Sequence, residues 1–359
     1  MKTMDMNVTV SITESIINWY SNHQRDLPWR KTRNPYFIWV SEVMLQQTQV
    51  ETVIPYYKRF LSRFPTIEAI SRASLQEVLK VWENMGYYSR AHNLYMAAKI
   101  ISEQYDGKIP NTMEALQSLP GVGNYTSSAV LCFAFGQQVP TMDGNVRRVL
   151  CRLYGIKALM DQTSTRKRLL DIAKKLVPEK KPAHFNQGLM DLGATICTPR
   201  KPSCNLCPLN NHCQALKLGL QDTLPKRAKR GPLPRKQMTA GIITDAQRRL
   251  LIVQRPMKGL LGGLWKFPGG ERKPDETLKE ALKRAVRQEL GIRIRVRDGI
   301  TSVNHTYTHF RITLHAFRCV RQGGAEPMAV GCARWKWVKP RGLRNFPFSK
   351  ADRKIIKAI

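Results

Sequence analysis

The hydrophobic period of this chain changes once, near residue 238, and that change demands two modules of different build. Before it, apolar residues recur at helical spacing, as in Ile12, Ile16, Ile17 and Tyr20. The same spacing predicts helices at about 51–62, 74–82, 88–105, 112–118, 125–136, 144–155, 164–176 and 183–196, separated by short Gly, Pro and Asn breaks. Asn34-Pro35 gives a helix-start signal ahead of YFIWVSEVMLQQTQV. Residues 1–220 therefore read as an all-α domain. After it, MTAGIITD and RRLLIVQRP predict two strands around a short turn. A helix at about 276–290, a strand at about 292–298, and strands in RITLHAFRCV and ARWKWVKP follow, so 238–359 reads as an α+β module. Between the two, residues 221–237 hold three prolines, one glycine and six basic residues, the composition of a linker.

Charge narrows the partner. Lys and Arg number 59 against 26 Asp and Glu, a net charge of +33. Residues 1–220 carry +11, the linker +5 and residues 238–359 carry +17. An excess spread along a folded chain points to a polyanion, and nucleic acid comes first. An anionic membrane surface comes second, but no basic amphipathic helix supports it. No run of ~18 apolar residues exists to cross a bilayer. The first twenty residues lack a secretory apolar stretch and a small-residue cleavage site, so an intracellular protein is expected.

Of eight cysteines, Cys132, Cys151, Cys319 and Cys332 lie in apolar surroundings and read as small core residues. The other four are Cys197, Cys204, Cys207 and Cys213, in a C-x6-C-x2-C-x5-C pattern. Four thiols this close in an intracellular chain argue for metal rather than disulfides. Zinc usually shows two short Cys pairs around a longer loop, whereas one CxxC with longer arms suits an iron–sulfur cluster. Spacing alone leaves both open. A second motif, Leu119-Pro120-Gly121-Val122-Gly123, joins two predicted helices. Its glycines give a phosphate access to backbone amides at the next helix start.

The cysteine loop following HFNQGLMDLGATIC resembles the iron–sulfur loop of the endonuclease III and MutY DNA glycosylases, and LPGVGxxT resembles their helix–hairpin–helix. With the C-terminal module included, nearly the whole chain is similar to the MutY adenine DNA glycosylases. The resemblance implies a helical glycosylase domain over 1–220, with its helix–hairpin–helix near 112–136 and one 4Fe-4S cluster in the loop 197–213. The basic linker 221–237 and a Nudix-like 8-oxoguanine recognition domain over 238–359 follow. It implies a monomer acting on double-stranded DNA that carries adenine opposite 8-oxoguanine or guanine, with the cluster serving structure and DNA binding. No membrane is involved, and in a bacterium the protein would be cytoplasmic and nucleoid-associated. Arg200-Lys201-Pro202 would face DNA phosphate, and Gly121, Val122 and Gly123 would grip it through the backbone.

Cleaving an N-glycosidic bond needs a proton for the leaving base and negative charge beside the oxocarbenium-like sugar, so two carboxylates in different environments suit it. On its own, a helix glutamate is most simply a surface residue. By resemblance, SEVMLQQTQV makes Glu42 the acid that protonates adenine N7, and MDGNVRRVL makes Asp143 the group that stabilises the sugar, with Asn145 positioning it or the water. Asp143 also suits a helix N-cap. Where glycosylase/lyases carry a Schiff-base lysine this chain has Tyr125, which implies a monofunctional enzyme. Gln47 would fill the stack vacated by the flipped base and Tyr87, in NMGYYSR, would wedge beside the opposite base, with Thr48 and Met85 nearby. Trp29, Arg30, Leu45, Val50, Gln187 and Met190 would form the adenine pocket, though Leu45, Val50 and Met190 also read as helix core.

Gly270, Glu276, Arg284, Glu289 and Gly291 fall at Nudix-box spacing, but Ala285 and Gln288 stand where a hydrolase holds Mg²⁺ with glutamates. The resemblance therefore implies a module for recognition, with Tyr307, Thr308 and His309 in place of the family's Phe-Ser-His reading loop. A pyrimidine-specific glycosylase, a Nudix hydrolase and a non-catalytic iron–sulfur DNA-binding protein are the alternatives. The C-terminal module, Ala285 with Gln288, and Glu42 with Asp143 argue against them in turn.

Overall fold

The computed structural model describes residues 6–228 and 231–359. Lys229 and Arg230 of the basic linker and the first five residues lie outside the described part. The chain divides into two compact units. One holds the residues up to 61, 66–68 and those from 96 to the linker; the other holds 62–65, 69–95 and 231–359. The second unit therefore takes a piece from the middle of the stretch read as one helical region.

The helices run α1 (Met6–His23), α2 (Pro35–Leu45), α3 (Val50–Arg63), α4 (Ile67–Arg72), α5 (Leu75–Val81) and α6 (Tyr88–Gln104). They continue as α7 (Met113–Gln117), α8 (Asn124–Phe133), α9 (Gly144–Leu153), α10 (Thr163–Leu176), α11 (Pro182–Thr195) and α12 (Gln214–Lys217). In the first unit α2 is apolar almost all round, buries everything from Ile38 to Met44, and packs on α8. A helix with no polar face must be central. Asn34 starts it, its side chain accepting from the amides of Tyr36 and Phe37. α11 packs against both α1 and α9. Gly193 permits the α9 contact, because a Cβ there would lie 2.7 Å from the Cβ of Asn145. A mid-helix glycine costs ~0.5–1 kcal/mol, so this close approach is a specific requirement of the site. Of the segment read as linker, Leu224 is buried and Met160 donates its amide to the Lys226 carbonyl, so the stretch to 226 is tied to the first unit.

The C-terminal part of the second unit contains β1 (Arg235–Ile243), β2 (Leu250–Gln254), β3 (Trp265–Lys266), α13 (Leu278–Leu290), β4 (Arg293–Thr306), β5 (Arg311–Gln322), β6 (Arg334–Val338) and α14 (Lys350–Ile356). It builds two three-stranded sheets, ordered β1-β5-β4 and β3-β2-β6, with β1 parallel to β5. Ile252, Phe267, Leu314 and Phe348 fill one core; Leu251, Val253, Leu282 and Val286 of α13 fill the other.

One sequence expectation holds and one changes here. The two strands expected around a short turn form as β1 and β2, with a Thr244–Leu250 bridge across the turn, and they belong to different sheets. Both are continuously buried over Thr239–Ile243 and Leu250–Gln254, the pattern of strands covered on two faces rather than of a half-solvated hairpin. The strand expected at 292–298 runs on to Thr306. Its register shifts between Val296 and Thr301, and those bulges hide the second half from an alternation test.

Candidate active site

Glu42 projects from the central helix and is 4% exposed. Burial opposes its ionisation and pushes its pKa up to about 7; Asp143 raises it further, while Tyr125 and Arg30 pull it down. The Tyr125 hydroxyl, from α8, donates to Glu42 Oε2 at 2.8 Å. Asp143 caps α9, with Oδ1 accepting the Val146 amide at 2.7 Å, and the Asn145 amide donates to Oδ2 at 3.0 Å. Burial raises the Asp143 pKa, and those two donors with the nearby Arg148 oppose the rise. Asp143 is thus both a helix cap and a cavity wall. Asn145 is itself held, since Arg148 donates to its Oδ1 at 2.7 Å, to the Gly193 carbonyl at 2.6 Å and to the Cys197 carbonyl at 2.8 Å.

A cavity of about 570 Å³ gathers this chemistry. Its wall carries Trp29, Arg30, Glu42, Leu45, Gln47, Thr48, Val50, Tyr125, Asp143, Asn145, Gln187 and Met190. Every residue named from the sequence for acid, sugar stabiliser and adenine pocket therefore lies on one surface, including Leu45, Val50 and Met190, which could have been plain core. Gln47, exposed and at φ +56°, stands just past the end of α2. A non-glycine residue in that region costs of order 1–3 kcal/mol and is commonest at functional positions.

Sequence reading missed what holds the pocket residues. Arg30 is locked bidentate to Asp191, at 2.5 and 2.8 Å, and Arg25 reaches the same carboxylate at 2.6 Å. Asp191 is fully buried and its pKa is lowered by the two arginines despite burial. The Tyr20 hydroxyl donates to Gln187 Oε1. Nothing local marks Asp191 or Tyr20, because each partner lies about 160 residues away in sequence. Helical spacing identified Tyr20 only as a core residue.

In the hairpin, Gly121 takes φ +76° and exposed Gly123 caps α8, so the motif forms the turn its spacing predicts. In the cysteine loop, two short 3-10 turns and α12 bring the four thiols close enough to influence one another's ionisation. The Arg152 guanidinium donates to Cys197 Sγ at 3.3 Å, and backbone amides face Cys207 and Cys213. Burial pushes the Cys207 thiol up to about 11. Four thiols bordered by amide and guanidinium donors have the chemistry of an all-cysteine iron–sulfur site.

In the second unit a cavity of about 670 Å³ brings Met85 and Tyr87 together with Tyr307, Thr308 and His309. Tyr307 to His309 turn the chain from β4 to β5, and the Tyr307 amide bonds the Phe310 carbonyl. The hydroxyls of Tyr87 and Thr308 are 2.5 Å apart. At the Nudix box, Glu289 is bound by buried Lys266 at 2.5 Å and by the Gly269 amide at 3.0 Å. Glu276 is bound by Arg284. The remaining carboxylates are thus occupied by the chain's own cations, which would have to leave before Mg²⁺ could bind.

Residues 40–179 match the HhH-GPD superfamily of base excision DNA repair proteins, 197–213 the iron-sulfur binding domain of endonuclease III, and 239–358 a NUDIX domain. The human adenine DNA glycosylase is 33% identical over 98% of this chain and 74% of its own length. The chain belongs to the adenine DNA glycosylase family. The adenine DNA glycosylase of Buchnera aphidicola from Schizaphis graminum is 36% identical over 84% of this chain and 85% of its own. A solved thermostable thymine-DNA glycosylase is 34% identical with a TM-score of 0.55, and covers 59% of this chain and 98% of its own. An endonuclease III trapped on DNA, 22% identical with a TM-score of 0.52, shares the fold. The chain is therefore a DNA N-glycosylase of base excision repair with a helical catalytic domain, an iron–sulfur domain for a 4Fe-4S cluster, and a C-terminal NUDIX domain. None of its described helices is long and apolar enough to cross a membrane.

Proposed function

We propose that this chain, acting as a monomer, hydrolyses the N-glycosidic bond of adenine opposite 8-oxoguanine or guanine in duplex DNA and leaves the abasic site uncut. The observation that carries the reading is a buried Glu42 with a pKa near 7, set in one cavity wall with an Asp143 held by hydrogen-bond donors. A carboxyl protonated near neutral pH serves as a general acid. Flipped adenine enters among Trp29, Arg30, Leu45, Val50, Gln187 and Met190, while Gln47 fills the vacated stack beside Thr48. Glu42 gives its proton to adenine N7, the bond from the sugar to N9 breaks, and its electron pair leaves with the base. Asp143, with Asn145 fixing its carboxylate, stabilises the oxocarbenium-like sugar or bonds to it transiently. Water then adds at the sugar carbon, and its proton passes to Glu42. The cavity wall holds Arg25, Arg30 and Arg147 and no lysine among the described residues, and the Tyr125 phenol cannot form an imine with the sugar.

Backbone amides at Gly121, Val122 and Gly123 and the basic Arg200-Lys201-Pro202 segment hold phosphates. When bound by Cys197, Cys204, Cys207 and Cys213, the cluster fixes that segment and carries no step of the reaction. Opposite-base reading falls to the second-unit cavity, where Tyr87 wedges beside the base and Tyr307, Thr308 and His309 supply an aromatic ring, a hydroxyl and an imidazole. The test is single-turnover base release from duplexes with adenine opposite 8-oxoguanine, guanine or thymine, followed by borohydride treatment. Fast release opposite 8-oxoguanine, slower opposite guanine, and no trapped protein–DNA adduct are expected. Equal rates on all three duplexes, or an efficient adduct, would refute the reading.

A further inference from the structure

We propose that Glu83 is a positioning residue for recognition of the opposite base. The proposal rests on the assignment of 8-oxoguanine reading to the Tyr87 and Tyr307–His309 cavity. Glu83 lies four residues before Tyr87, in the second unit, at the start of a turn in which Asn84, Gly86 and Tyr87 all take positive φ. Its side chain is 11% exposed and collects donors from two directions. Lys80, one turn back, holds Oε2 at 2.6 Å. Oε1 accepts from Arg353 Nε at 2.7 Å and Nη2 at 2.6 Å, and from the Phe348 amide at 3.0 Å.

These bonds reach the reading loop by a short path. Arg353 also donates to the Phe346 carbonyl at 2.6 Å, so Glu83 and Arg353 together clamp the segment before α14. The next residue after Phe348 is Ser349, which lines the same cavity as Tyr307, Thr308 and His309. The Tyr88 hydroxyl receives the Asn84 amide at 3.0 Å and donates to the Phe348 carbonyl at 3.5 Å. Tyr87 and Thr308 meet at the tips of two loops, and Glu83 ties the base of the first to the Phe346–Ser349 segment that lines the cavity beside the second. A hydroxyl-to-hydroxyl contact between two exposed loops cannot hold its own register; a largely shielded carboxylate with four donors can. Glu83 touches no substrate. It fixes the spacing at which Tyr87 and Thr308 present their hydroxyls to the opposite base.

The test compares Glu83→Gln with Glu83→Asp in the full-length holoenzyme. Single-turnover rates are measured on duplexes with adenine opposite 8-oxoguanine and opposite guanine, with amide hydrogen exchange at residues 305–310 of the free protein. Charged hydrogen bonds of this kind support an expected loss of about tenfold in the rate ratio for Glu83→Gln, with partial recovery in Glu83→Asp. Exchange at 305–310 should quicken in the same order. A purely structural role would lower the active fraction on both duplexes alike and leave the ratio unchanged. An unchanged ratio in Glu83→Gln, or unchanged exchange at 305–310, overturns the proposal. If the wild type itself shows no preference between the two duplexes, the 8-oxoguanine reading fails. Exchange at 305–310 then still decides whether Glu83 holds that loop.

Discussion

Removing one hydroxyl should move the pH profile of this enzyme in a direction set by the site. In Tyr125→Phe the 2.8 Å bond to Glu42 is lost while the carboxyl stays buried beside Asp143 and Arg30. The phenol donates to the carboxylate and so favours the ionised form; without it the Glu42 pKa rises and the proton is held to higher pH. A hydrogen bond to a charged group contributes ~1.5–3 kcal/mol, and one pKa unit is about 1.4 kcal/mol, so the shift is about one to two pH units. The assay is the single-turnover rate of adenine release across the neutral and alkaline range, with enzyme in excess over DNA. The wild-type rate should fall as pH rises past about 7. The Tyr125→Phe rate should fall about one to two pH units later, with little change on the acid side. An alkaline limb that stays in place, or moves to lower pH, would refute Glu42 as the group that must carry the proton.

Further consequences follow from the same geometry. Glu42 has its pKa raised from an unfolded value near 4.5 to about 7, so native stability drains away as pH climbs between those values. Glu42→Gln should therefore unfold at higher urea than wild type above pH 7, by up to roughly 3 kcal/mol, and match it in acid. Asp191→Asn leaves the arginines at 25 and 30 without their buried carboxylate, which should cost about 3–5 kcal/mol in thermal or urea melts and weaken adenine cleavage with it. Binding to duplex DNA should fall ~10³–10⁵-fold between 50 and 200 mM salt if ~6–10 phosphates are engaged, as read by anisotropy titration; a flat response would remove the backbone contacts.

Much of this site could be read before any coordinates, for physical reasons that differ by residue. Glu42, Asp143 and the hairpin glycines sit in runs whose order is fixed locally, by one helix, one cap and one tight turn. The Asn34 signal marked where α2 begins and Asp143 suited a cap on α9, while the roles of Glu42 and Asp143 came from the family resemblance of those runs. Asp191, Arg148 and Glu83 were not legible, because their roles exist only across contacts distant in sequence: Asp191 to Arg30, Arg148 to Cys197 and Glu83 to Arg353. The strands themselves were legible, but their pairing was not. β1 and β2 are adjacent in sequence, yet β1 pairs in parallel with β5, a pairing no local alternation can announce. The net charge of +33 indicated DNA and nothing finer. In the function proposed here, discrimination falls instead to a few largely uncharged groups, Tyr87, Thr308 and the apolar walls of the first cavity among them.

The most direct test of the account is the release of free adenine, detected by chromatography, from a duplex carrying adenine opposite 8-oxoguanine, with wild type and Glu42→Gln side by side. The account expects rapid release by the wild type, an intact abasic strand, and at least ~10²-fold slower release by the variant at undiminished DNA affinity. Adenine release by Glu42→Gln at the wild-type rate, or none by the wild type, would contradict it.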